Sequence, residues 1–206
     1  MGATIKAVVM GASWGGLNAY SSILSSLPAD FPAAVLLVQH QNASADNRLA
    51  WLLSRYCRLP VMAPMDKERI RPGHVYVAPP GYHMLVNADG TIALTVYRPV
   101  HFSRPSIDEL FFSAGHVYGK NVTGVILTGA NEDGSAGLDY IRRRGGRTLA
   151  QSPHSSEAPV MPQAAIALGA ARQVLDLERI GPWLAQNLME NLVGLDDEKT
   201  KYSGRR

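Results

Sequence analysis

Three short apolar runs limit what this chain can fold into. Residues 5–10 (IKAVVM), 33–39 (AAVLLVQ) and 122–127 (VTGVIL) are almost unbroken in apolar side chains. Each has the length of a strand, and none alternates as a strand with one wet face would. Each is followed by apolar residues at helical spacing: Leu17, Tyr20, Leu24 and Leu27 ahead of Pro28; Leu49, Leu52, Leu53 and Tyr56; then Leu138 and Ile141 ahead of Gly145-Gly146. Unbroken apolar strands alternating with helices predict an α/β fold. It is a doubly wound, mostly parallel sheet with helices on both faces. Asn87-Ala88-Asp89-Gly90 separates two further strand-like runs and predicts an antiparallel β-hairpin, so that part of the sheet is antiparallel. Ser106-Ile107-Asp108-Glu109 reads as a capping box at the start of a helix carrying Leu110, Phe111, Ala114 and Val117.

Composition agrees with a folded chain and removes several function classes. Of 206 residues 46% are hydrophobic and 18% charged, enough apolar material for a sizeable core. One domain over residues 1–193 is expected. From Gly194 onward charges replace apolar residues, and a disordered tail over residues 194–206 is expected. Twenty Lys plus Arg against 17 Asp plus Glu leave a formal charge of +3, too mild for polybasic nucleic-acid binding. Cys57 is the single cysteine, so an intramolecular disulfide is impossible; with six histidines, a structural zinc site is not expected either. Neither a metal nor a cofactor is called for. The N-terminus lacks a signal-peptide pattern and no apolar run reaches membrane-spanning length. The expectation is a cytoplasmic protein without direct membrane insertion.

The chemistry gathers at strand ends. The first run leads into Gly11-Ala12-Ser13-Trp14-Gly15-Gly16, which satisfies the G-x-S-x-G nucleophile-elbow pattern between a strand and a helix. A Gly-rich turn of this kind also occurs without catalysis. Ser13 needs a base, and His40 ends the second strand; parallel neighbours deliver their carboxyl ends to one rim. The base needs an orienting acid, and Asp133 stands in the loop leaving the third strand, Leu127-Thr128-Gly129-Ala130-Asn131-Glu132-Asp133-Gly134. Asp133 alone would read as the N-cap of its own helix. A serine, a histidine and an aspartate at three strand ends of one rim read as a triad.

Several ordered motifs then resemble one family. Gly11-Ala12-Ser13-x-Gly15-Gly16, Gln39-His40, Pro72 through Pro79 (PGHVYVAP), Arg104-Pro105-Ser106-x-Asp108, Val125 through Gly129 (VILTG), Asp133-Gly134-x-Ala136-Gly137, Ala150-Gln151 and Met161-Pro162 are similar to the catalytic domain of the bacterial chemotaxis protein-glutamate methylesterase. The likeness runs from about Ala7 to about Leu188. It implies a triad of Ser13, His40 and Asp133, with hydrolysis of glutamyl γ-methyl esters and deamidation of glutamines on the cytoplasmic helices of methyl-accepting chemotaxis receptors. Backbone amides around Trp14, Gly15 and Ala130 are the oxyanion candidates. Arg104 and Met161 are substrate-contact candidates, as are Arg142, Arg143, Arg144 and Arg147, although those that close a helix also suit a solvated surface. Trp14 stands where enteric members carry Thr, and Ala130 where they carry Met. The likeness begins at the first residues, so an N-terminal receiver domain is not expected, and control by a receiver protein in trans is. Competing readings keep Ser13 but use His154 as base in a generic serine esterase, or make the chain a receptor-binding scaffold. A Rossmann dinucleotide domain is disfavoured, because Gly11, Gly15 and Gly16 do not give G-x-G-x-x-G and no acid ends the second strand.

Overall fold

The first two apolar runs form strands β1 (Lys6–Ala12) and β2 (Ala33–Gln39), paired in parallel with Ala12 opposite Gln39. The third forms β7 (Val122–Ile126), parallel to β1 on its other side. Short strands extend both edges: β3 (Val61–Met62) and β4 (Val75–Val77) beyond β2, and β8 (Arg147–Gln151) and β9 (Gln173–Leu175) beyond β7. The resulting seven-stranded sheet has the order β3-β4-β2-β1-β7-β8-β9, and every pairing in it is parallel. These are features of a computed structural model, which describes residues 6–100 and 102–201.

Successive strand side chains point to opposite faces, so an unbroken apolar strand needs cover on both. Val8, Met10 and Ala12 of β1 face one core, with Ile23 and Leu24 of α1 (Gly16–Ser25), Leu53 of α2 (Leu49–Ser54) and Leu184 of α6 (Leu177–Lys201). Ala7 and Val9 face the other, with Phe111 of α3 (Ile107–Tyr118), Leu138 of α4 (Ser135–Arg143) and Ala165 of α5 (Val160–Ala167). Burying a side chain such as Ile23 or Phe111 stabilises the fold by about 1.5–3 kcal/mol. Among the described residues, no helix is long and apolar enough to cross a membrane.

The structure corrects several expectations. The hairpin forms, as β5 (His83–Val86) and β6 (Ile92–Thr95), but as a separate two-stranded sheet whose Met84 packs into the α3 core. Among the described residues the main sheet therefore has no antiparallel part. Strand β1 does not end at Met10, because Gly11 stays paired with Val38 and Ile126; Ile5 lies outside the described residues. Leu17 and Tyr56 are exposed rather than core, since α1 buries Ala19, Tyr20, Ile23 and Leu24 instead. The final helix is continuous from Leu177 to Lys201. Residues 202–206 lie outside the described residues.

Strand order fixes where a ligand can sit. From β1 the chain moves to β2 on one side and later returns to β7 on the other, so the order reverses at β1. In an open α/β sheet, helices leave such a point on opposite faces and open a crevice above the strand carboxyl ends. Ser13 follows β1, His40 follows β2, and the loop holding Asp133 follows β7.

Candidate active site

Backbone bonds lock the three strand ends together. His40 N donates to Ala12 O at 3.0 Å, carrying the β1–β2 ladder one step past the strands. Ser13 N donates across the crevice to Thr128 O at 2.9 Å. Gln39 Nε2 donates to the carbonyls of Ser13 at 2.7 Å and His40 at 2.9 Å, joining nucleophile and base segments through one side chain. Thr128 Oγ1 donates to Trp14 O at 2.9 Å and accepts from Ala158 N at 2.8 Å, so the β7 loop also braces the turn after the serine.

The turn itself differs from a strained elbow. Lys67 and Phe102 are the non-glycine residues with positive φ among the described residues, so Ser13 is not one of them. The left-handed position falls two residues later, at Gly15 (φ 80°), where a Cβ would also lie 2.9 Å from the Cβ of Glu157. The opposite wall is equally close: a Cβ on Gly129 would lie 3.0 Å from Ser13 Cβ and 2.6 Å from Met161 Cε. Among the described residues, the amides of Trp14, Gly15 and Ala130 have no acceptor, and Ser13 Oγ makes no hydrogen bond.

Asp133 is the most firmly held group. It is fully buried, and its Oδ2 accepts from His40 Nε2 at 2.7 Å and Ile107 N at 2.8 Å. Its Oδ1 accepts from Ser106 Oγ at 3.0 Å and Asp108 N at 3.1 Å. The carboxylate thus caps α3, a helix that begins far from it in the chain, and not its own helix α4, whose N-cap is Gly134. The capping box does not form: Ser106 Oγ is spent on Asp133, and Glu109 takes the Tyr97 hydroxyl instead. Burial pushes the Asp133 carboxyl up, but the bonds from His40, Ile107 and Asp108 outweigh it and hold the group below the usual Asp value. Asp133 is therefore ionised at neutral pH, His40 Nε2 donates to it, and in the neutral imidazole the lone pair falls on Nδ1.

A family model described as CheB methylesterase matches residues 8–184. The chain belongs to the CheB methylesterase family. Its fold agrees: the crystal structure of the Thermotoga maritima CheB methylesterase catalytic domain superposes with a TM-score of 0.86 at 31% identity, covering 89% of this chain and 99% of that one. The chain is 43% identical over 175 residues to a putative protein-glutamate methylesterase/protein-glutamine glutaminase of Leptospira interrogans, spanning 85% of this chain and 91% of that protein. It is 45% identical over 179 residues to the protein-glutamate methylesterase/protein-glutamine glutaminase of Bordetella parapertussis. The matched part spans about half (51%) of that relative's length.

Within this CheB methylesterase domain, the other residues singled out from the sequence separate cleanly. Trp14 stands 71% exposed beside Ser13, at the mouth. Met161 is fully buried beneath Gly129 and does not face a substrate; its N–H bonds Gly129 O at 3.0 Å. Arg104 Nη1 donates to the carbonyls of Val96 and Tyr97 at 2.7 and 3.0 Å, so it fastens the hairpin's exit to the start of α3. The arginine cluster lies at the wrong end of the sheet, because α4 begins at the rim and runs away from it. Arg142 and Arg143 pair with Asp139, and Arg147 Nη1 bonds Asn187 O at 3.0 Å. His154 is exposed after β8 and has no bond to Ser13 or Asp133, so the alternative base is not in place. Sequence reasoning missed Ser106, Gln39 and Asn131 as members of the site. Ser106 could have been suspected only from its matched motif, since its partner lies 27 residues away.

Proposed function

We propose that the chain is a serine hydrolase that removes methyl groups from glutamyl γ-methyl esters on the cytoplasmic helices of chemotaxis receptors. The observation that carries this is the His40–Asp133 pair at the β1/β7 crevice, with the other imidazole nitrogen, Nδ1, on the ring edge away from the acid and Ser13 on the adjoining strand end.

Ser13 Oγ attacks the ester carbonyl, and His40 Nδ1 takes its proton. The nitrogen roles are exchanged relative to the chymotrypsin-type arrangement, in which Nε2 serves the serine. Here Nε2 is committed to Asp133, which stabilises the imidazolium as it forms. The acceptor-free amides of Trp14, Gly15 and Ala130 suit the oxyanion, and one such donor is typically worth about 3 kcal/mol of barrier. His40 returns the proton to the leaving methanol, water then attacks the glutamyl-enzyme, and Glu is released. A glutamine side chain can follow the same route with ammonia leaving, in keeping with the names of the relatives. Exposed Trp14 and Leu17 flank the serine and suit contact with a receptor helix.

The test is methanol release from a methylated receptor fragment by wild type and Ser13→Ala. Release by wild type alone is expected; equal release by both would end the proposal.

A further inference from the structure

One side chain on the rim has no part in the mechanism above. Asn131 lies half-buried in the loop after β7, and its Nδ2 is 3.3 Å from His40 Nδ1. Its Oδ1 accepts from Asp133 N at 3.2 Å. That second bond fixes the amide's orientation, because a flipped amide would set its NH2 against the Asp133 N–H. The imidazole is fixed as well, since Nε2–H is held by Asp133. The Asn131 amide therefore donates to the lone pair that must accept the Ser13 proton, while Ser13 Oγ has no partner among the described residues.

We propose that Asn131 is a positioning residue that occupies the base nitrogen of His40 in the resting enzyme and yields it to Ser13 when substrate seats. This rests on the hydrolase reading above. At 3.3 Å the bond is at the long end of the hydrogen-bond range, so its exchange for a shorter O–H···N bond from Ser13 costs little. Asn131 also keeps the ring turned so that Nδ1 faces the crevice. The Oδ1 bond to Asp133 N leaves the side chain anchored after it lets go of His40. Resting hydrolysis of stray small esters is thereby restrained.

The experiment pairs a spectroscopic readout with a rate. In the full chain labelled with 15N-histidine, wild type should show the Nε2–H tautomer of His40 with a hydrogen-bonded Nδ1. Asn131→Ala should keep the tautomer and move the Nδ1 signal towards that of a free lone pair. Its kcat on p-nitrophenyl acetate should rise about two- to tenfold, the equivalent of one net hydrogen bond. Asn131→Asp keeps the acceptor for Asp133 N but turns a carboxylate on Nδ1, favouring a proton there; kcat should fall by about tenfold or more. A purely structural role would slow both variants together. Asn131→Ala slower than wild type with an unmoved Nδ1 signal would overturn the proposal, as would an unmoved signal and rate. If wild type releases no methanol from methylated receptor, the substrate reading fails while the Nδ1 comparison still decides the role of Asn131.

Discussion

The acid and the nucleophile of this site are held in opposite ways. Asp133 is buried and accepts four hydrogen bonds, three of them from the start of α3. Ser13 Oγ, about one imidazole away in role, accepts and donates none among the described residues. The difference is functional sense in physical form. A buried carboxylate must be satisfied before substrate arrives, or it would not stay ionised. A nucleophile gains by remaining unpaired until a carbonyl is in front of it. The acid–base half is preorganised by the fold, and the serine half is completed by the ligand.

The largest effect that would break this contrast comes from Asp133→Asn. Asparagine no longer favours the Nε2–H tautomer and places an NH2 among donors, so kcat on methylated receptor should drop about 10⁴-fold. The same variant should lose stability, because one donor of α3 is left facing an N–H, at about 1–3 kcal/mol by urea unfolding. A comparable stability loss without loss of turnover would mean that Asp133 serves the fold alone.

The next effect is in pH. A carboxyl held below its ordinary value of 3.8 binds protons more weakly folded than unfolded. Its contribution to stability is complete above the unfolded value and is lost as pH falls through the lower, folded value. Urea midpoints should therefore decline with acid below about pH 4 more steeply in wild type than in Asp133→Asn. Parallel acid limbs would show that the carboxylate is not the group responsible.

Smaller effects separate the site from its scaffold. Ser106→Ala removes one of four bonds to Asp133 and should cost about 1 kcal/mol of stability with a few-fold loss in kcat. Among the described residues, Arg104→Ala removes bonds to Val96 and Tyr97, so it should cost a similar stability and leave KM for receptor unchanged. A raised KM in Arg104→Ala would restore the substrate-contact role that its place in the structure argues against.

What could be read from the sequence follows from range. Unbroken apolar strands dictate a parallel sheet, and a parallel sheet puts Ser13, His40 and the Asp133 loop on one rim without any knowledge of side-chain contacts. The contacts of Arg104 and Met161 are not legible in this way, because charge and residue type do not reveal partners: one guanidinium meets carbonyls at the hairpin's exit, and one thioether lies under Gly129. Asn131 was not read at all. Its meaning depends on which imidazole nitrogen Asp133 holds, and that is a side-chain geometry seen only once the strand ends are brought together.

The most direct measurement is active-site labelling with a fluorophosphonate followed by peptide mass mapping of wild type and His40→Ala. If the serine, imidazole and carboxylate act as one row, wild type will carry the adduct on Ser13 and His40→Ala will carry essentially none. Equal labelling of Ser13 in both proteins, or an adduct elsewhere in wild type, would contradict it.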